Sequence, residues 1–177
     1  MERFWALSLV MASVLVLRPD RADAQYRPPY LKGRNNVGLG LAAGLQLPSA
    51  EQPVHASGAW GFYTDIPLLR TFHISPSTIV YRLDRKDGTR NLAATDISMN
   101  FKFIVPLRRW DVMAGVTTGL SSLDELTPHM GLLGGVSFKV VSNLHFFIHG
   151  NYRYLLDDDG VIHDGQLLFG PVFKFAN

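Results

Sequence analysis

The chain has 177 residues, 47% hydrophobic and 18% charged, with 16 Gly, 10 Pro, no Cys and a formal charge of +2. That length suits about one domain; the composition excludes disorder, which needs low hydrophobicity with high net charge, and a nucleic-acid binder, which needs a basic stripe. Without cysteine there is no disulfide framework, no Cys-based zinc site, no thiol nucleophile and no lipid-modified N-terminal Cys.

Met1 to Ala24 reads as a secretory signal peptide. Arg3 supplies the positive start, Trp5 to Leu17 an uncharged apolar run, and Ala22-Asp23-Ala24 a small-x-small cleavage site before Gln25. The run has 13 residues, short of the roughly 20 that a spanning helix needs. No other stretch reaches the ~18 apolar residues of a membrane helix. The exported chain is therefore either a soluble protein or a membrane β-barrel. Gln25 to Arg34, with Pro28-Pro29, reads as an irregular lead-in, and residues 35–177 as one barrel domain.

From there the chain alternates eight times. Val37, Leu39, Leu41, Ala43 and Leu45 alternate with Gly38, Gly40, Ala42, Gly44 and Gln46. Trp60 and Phe62 follow between Ala59, Gly61 and Tyr63, and then Phe72, Ile74, Thr78 and Val80 between His73, Ser75, Ser77 and Ile79. The fourth segment is the clearest: Ala93, Thr95, Ile97, Met99, Phe101, Phe103 and Val105 against Ala94, Asp96, Ser98, Asn100, Lys102 and Ile104. Four further segments, at Asp111–Leu120, His129–Val140, Leu144–Tyr154 and Gln166–Phe175, repeat the theme, with Leu133, Phe147 and Leu168 interrupting the polar face. Period-two alternation sets one strand face against an apolar medium and the other against a polar one. A soluble strand usually spans about 5–6 residues, whereas a tilted membrane strand needs about 9–11.

The composition of the second face separates the two architectures. A soluble barrel turns its large apolar side chains inward and its charges to water. Here the second face mixes Gly, Ala and Ser with a few charges, which suits the narrow polar lumen of a membrane barrel. Leu39, Trp60, Met99, Phe101, Val136, Ile148 and Phe169 are accordingly expected to face lipid.

The order of the strands follows from a repeat. Phe101-Lys102-Phe103, Phe138-Lys139-Val140 and Phe173-Lys174-Phe175 end alike, the lysines being 37 and 35 residues apart, and Gly61-Phe62-Tyr63 holds the equivalent place before them. Tight connections follow at Ile66–Arg70, Val105–Arg109 and Val141–Asn143, while the opposite ones (Pro48–Val54, Asp84–Arg90, Ser121–Pro128, Asp157–Gly165) look longer and more polar. The unit is a β-hairpin occurring four times, and short turns at one end with longer loops at the other are usual for outer-membrane barrels. Aromatic residues gather near the short-turn ends, among them Phe62, Tyr63, Phe72, Trp110 and Phe138, with Tyr81, Tyr152 and Tyr154 near the loop ends. Two interfacial girdles are expected from that clustering.

With its signal peptide, eight alternating segments, Thr95-Asp96-Ile97-Ser98-Met99-Asn100-Phe101-Lys102 and an aromatic last strand, the chain resembles the small eight-stranded outer-membrane barrels of Gram-negative bacteria, the OmpA/OmpX-like group. The resemblance is one of architecture over Asn35 to Asn177. It implies an all-β, antiparallel, up-and-down transmembrane barrel in the outer membrane, in contact with lipid and lipopolysaccharide, inserted by the outer-membrane assembly machinery and monomeric. The group places an aromatic residue at the last position as an assembly signal; this chain ends Phe173-Lys174-Phe175-Ala176-Asn177.

Chemistry-bearing residues are few. Asp65, Asp96, Lys102, Asp111, Lys139, Arg153 and Lys174 are expected inside, with His73, His145 and His149. Four cations against three anions nearly balance, and an eight-strand interior is just wide enough for its own side chains, so they read as a network filling the lumen rather than an ion path. His145 and His149 share a face but lie about 13 Å apart, too far for one metal ion, and no cofactor or metal is expected. His73-Ile74-Ser75 and His55-Ala56-Ser57 resemble the His-x-Ser element of outer-membrane lipid A deacylases, although His73 lies early in the chain with no Glu nearby. A lipid A-modifying hydrolase using His73 and Ser75 is therefore an alternative, and a soluble periplasmic lipocalin-like carrier a second. Asp157-Asp158-Asp159-Gly160 with Asp164 lacks the alternating ligand spacing of a calcium loop and reads as a solvated acidic loop.

Overall fold

The computed structural model describes residues 36–49, 54–83, 92–107, 109–122, 126–157 and 160–175. The signal peptide and the lead-in lie outside the described residues. Eight strands follow in chain order: β1 (Gly38–Pro48), β2 (Ser57–Pro67), β3 (Phe72–Leu83), β4 (Leu92–Pro106), β5 (Trp110–Ser122), β6 (Leu126–Val141), β7 (Leu144–Asp157) and β8 (Gly160–Lys174). Each pairs antiparallel with its neighbour, and β1 also pairs with β8, Gly38 opposite Lys174 and Gln46 opposite Gln166, so the sheet closes into a barrel. Closure leaves no edge strand with unpaired backbone groups, the condition for a sheet to survive in hydrocarbon.

The period-two pattern becomes inside and outside. Leu41, Trp60, Phe62, Phe103, Val116, Leu132, Ile148 and Phe169 are each about half exposed or more on the outer wall, while Ala42, Ala59, Ile79, Asn100, Lys102, Phe147 and Leu168 are buried within. The strands also carry the alternation further than the turn chemistry suggests. The connection between β7 and β8 is only residues 158–159, with Asp157 opposite Gly160, and that between β5 and β6 is 123–125. The loops expected at Asp157–Gly165 and Ser121–Pro128 are thus mostly strand. Polar residues there alternate in register with their neighbours and pair across the ladder, which composition alone does not show.

Two local features shape the cylinder. The β2–β3 ladder is interrupted between the Tyr63–Ser77 and Ile66–Ile74 pairs, around Pro76, and the β1–β8 ladder between Gly40–Val172 and Ala43–Phe169, around Pro171. Proline has no N–H to give a neighbour, and each gap falls on the side its missing donor would serve. Gly61 and Gly115 answer to close approach: a Cβ on Gly61 would lie 2.0 Å from the Thr78 carbonyl oxygen, and one on Gly115 2.0 Å from that of Phe101.

Aromatic pairs brace the outer wall near the short turns, Phe72 with Phe103 at 5.1 Å between ring centres and Trp110 with Phe138 at 4.9 Å. Near the other end Tyr152, Tyr154 and His163 form a cluster, with the Tyr152 hydroxyl 2.9 Å from His163 Nδ1. Tyr63 and Tyr81 depart from the expected girdles: both are buried in the lumen, because strand parity turns them inward and polar partners await their hydroxyls there.

Candidate functional site in the barrel lumen

The lumen holds two polar networks separated by an apolar layer. Toward the end where Asp157 pairs with Gly160, Arg153 on β7 lies directly opposite Asp164 on β8. Its Nε and Nη2 donate to the two Asp164 oxygens at 2.8 and 2.6 Å, a bidentate pair, and its Nη1 donates to Asp96 on β4. Charge-assisted forks of this kind are among the strongest protein hydrogen bonds. Neutral groups complete the shell. Gln46 Nε2 donates to Asp164 at 2.5 Å, the Tyr81 hydroxyl to Asp96 at 3.1 Å, and Asn151 Nδ2 to Gln166 at 3.1 Å. Ser121 lies 2.9 Å from the Tyr81 hydroxyl. Side chains of β1, β3, β4, β5, β7 and β8 are thereby tied into one cluster.

At the short-turn end the hub is Asp65 on β2. It accepts hydrogen bonds from Lys102 at 3.1 Å, from Lys174, and from the Ser75 hydroxyl at 3.1 Å, and His73 Nδ1 lies 3.1 Å away. Lys102 also donates to the Tyr63 hydroxyl. Asp111 accepts from Ser137 at 3.3 Å and lies 3.9 Å from His145 Nδ1. A cavity of about 30 Å³ opens among these groups, with the exposed Arg70 on its rim, room for about two waters.

Between the networks Phe147 stacks on Tyr63 at 4.8 Å and on His149 at 5.0 Å, beside buried Ile79 and Leu168. The residues that interrupt the polar face in sequence are thus the lumen's apolar filling. Elsewhere Asn100 Nδ2 donates to the Ser75 carbonyl at 2.8 Å, and Ser98 Oγ lies 3.0 Å from His129 Nε2.

Asp65, Asp96, Lys102, Asp111, Arg153 and Lys174 all lie buried in the lumen, with His73, His145 and His149. Lys139 differs: it is only half-buried, at a β-bulge between Lys139 and Val141 that disturbs the alternation. Asp164, read as part of an acidic loop, is instead a buried partner of Arg153; Asp158 and Asp159 lie outside the described residues. On the outer wall Leu39, Trp60, Ile148 and Phe169 are exposed, and Met99, Phe101 and Val136 half-buried. His73 and Ser75 meet at Asp65, but the serine hydroxyl is donated to the carboxylate. A nucleophilic serine needs its histidine as base, with the carboxylate behind the histidine, so this order is not that of a triad. Among the described residues no three His, Cys, Asp or Glu side chains converge to hold a metal ion.

No family model and no curated protein matches the chain. Solved structures do. Neisserial surface protein A is similar over 78% of this chain and 97% of its own, at 14% identity and a TM-score of 0.65. Outer membrane protein H from P. aeruginosa, solved in DHPC micelles, is similar over 79% of this chain and 99% of its own, at 15% identity and a TM-score of 0.54. The fold is that of the small outer-membrane barrels. A soluble lipocalin-like carrier would need the large apolar side chains inside, and this barrel wears them outside. An apolar band around a closed barrel with a polar, charged interior belongs in a bilayer.

Proposed function

We propose that this chain is an integral protein of the Gram-negative outer membrane, a monomeric barrel with a filled lumen that acts through its place in the envelope and its surface rather than as a channel or an enzyme. The observation that carries this reading is the filling itself: salt-bridge clusters at both ends and an aromatic–aliphatic layer between them. Outer-membrane lipid and lipopolysaccharide are the partners the apolar wall and the Tyr152–Tyr154–His163 cluster suit, and the assembly machinery its route of insertion. Planar-bilayer recording of the refolded barrel tests the filled lumen. No unitary current steps are expected, and stable open steps would overturn the reading.

The lipid A hydrolase alternative keeps one supporting observation, the meeting of Ser75, His73 and Asp65. Against it, Ser75 is fully buried and donates to the carboxylate. Mass spectrometry of lipid A from cells with and without the gene is expected to show identical acyl chains, and a lost chain would restore the enzyme.

A further inference from the structure

Asp65 is asked to neutralise more than one charge can. Two buried ammonium groups, Lys102 and Lys174, converge on its single carboxylate, and His73 Nδ1 lies at the same oxygen as Lys102. The adjoining cavity is lined by the cations Arg70, Lys102 and Lys174 against the carboxylates Asp65 and Asp111. Like charges held together away from water are costly unless a counter-charge joins them. The opposite cluster has the reverse imbalance, Arg153 between Asp96 and Asp164. Its surplus negative charge lies beyond the Phe147 and Leu168 layer, so it does not reach the short-turn end as a contact.

We propose that the short-turn mouth is a binding site for a phosphate oxyanion, seated between the Arg70 guanidinium at the rim and the Lys102–Lys174 pair within. The chemistry fits in three respects. Counting Arg70 at the rim, the lining brings three basic side chains against two carboxylates. Arg70 offers a planar fork of donors, suited to phosphate oxygens, and it is exposed, free to close over a ligand. The cavity of about 30 Å³ has room for the entering oxygens in place of the two or so waters it could hold, with the rest of the ligand outside. The same group can come from free phosphate or from the headgroup of an anionic phospholipid in the adjacent leaflet.

The test uses the refolded full barrel in dodecyl maltoside, an uncharged detergent without phosphate, titrated with sodium phosphate at constant ionic strength and followed through the NMR signals of His73 and His145. Saturable shifts are expected that sodium chloride does not reproduce. Lys174→Met leaves Lys102 paired with Asp65 and should weaken phosphate by roughly tenfold or more, the worth of one charge-assisted hydrogen bond. Arg70→Gln, at an exposed position between β2 and β3, should weaken it too. Arg109→Gln, exposed on the next turn and outside the cavity lining, should not. In phosphatidylglycerol nanodiscs without free phosphate, signals already at the bound position assign the headgroup as the source. Signals that move there only on adding phosphate assign the free ion. Linear, unsaturated shifts, or equal affinity in Arg70→Gln and Arg109→Gln, overturn the proposal.

Discussion

Replacing Arg153 by Met should be the most damaging single change in the lumen. The side chain is 1% exposed and makes three hydrogen bonds to two carboxylates. Charge-assisted bonds contribute about 1.5–3 kcal/mol each, so a simple sum overshoots, because Asp164 keeps Gln46 and Asp96 keeps Tyr81. What remains is the cost of leaving buried carboxylates without their cation, about 3–5 kcal/mol. Urea unfolding in phosphatidylcholine vesicles reads it directly. The combination Arg153→Met, Asp96→Asn, Asp164→Asn removes all three charges and should recover all but about 1–2 kcal/mol, since neutral replacement of a buried ionic group is often close to neutral in stability. A loss below about 1 kcal/mol for Arg153→Met alone, the range of a solvated ion pair, would mean that water reaches the cluster. The filled-lumen reading would then fail.

Two further substitutions probe the wall. Gly61→Ala puts a methyl group against the backbone carbonyl of Thr78 and should cost about 1–3 kcal/mol as overpacking, seen as a weakened heat-modifiable folded band on a gel. Gly58→Ala, with nothing within 4 Å of the new atom, should migrate as the parent does. Met99→Arg, near the middle of β4 on the outer face, should cost about 2–4 kcal/mol in vesicles, against about 0–1 for Val105→Arg, exposed near the short-turn end of the same strand. Equal costs at the two depths would show that the outer wall is not graded by a bilayer.

The alternation carries most of the fold: eight segments and the facing of Leu39, Trp60, Ile148 and Phe169 follow from period two, and closure follows because a sheet in hydrocarbon can leave no edge unpaired. The exceptions are positions where residue type competes with parity. Tyr81 shares the parity of His73, Ser75 and Ile79, yet its aromatic ring suggested a girdle. Tyr63 likewise belongs with Ala59 and Gly61. Asp164 lies two residues before Gln166, so extending the last strand's alternation backwards places it inside. The acidic run at 157–160 hid this by looking like a loop. The pairing of Asp157 with Gly160 is what sets Asp164 opposite Arg153.

Register and neighbourhood are a different matter, and the lysine repeat shows why. Lys102, Lys139 and Lys174 close three similar strand ends, so a sequence repeat suggests three similar environments. The barrel gives them different ones, because the available counter-charge is local. Asp65 stands on β2; Lys102 on β4 and Lys174 on β8 each lie two strands from it around the ring, on opposite sides. Lys139 on β6 lies four strands away, half-buried beside the bulge at 139–141. A repeat along the chain fixes which face a side chain takes, whereas position around the cylinder fixes which charge it meets. The same geometry brings two lysines, and not three, to one carboxylate, and so leaves the mouth with the cation surplus on which anion binding would depend.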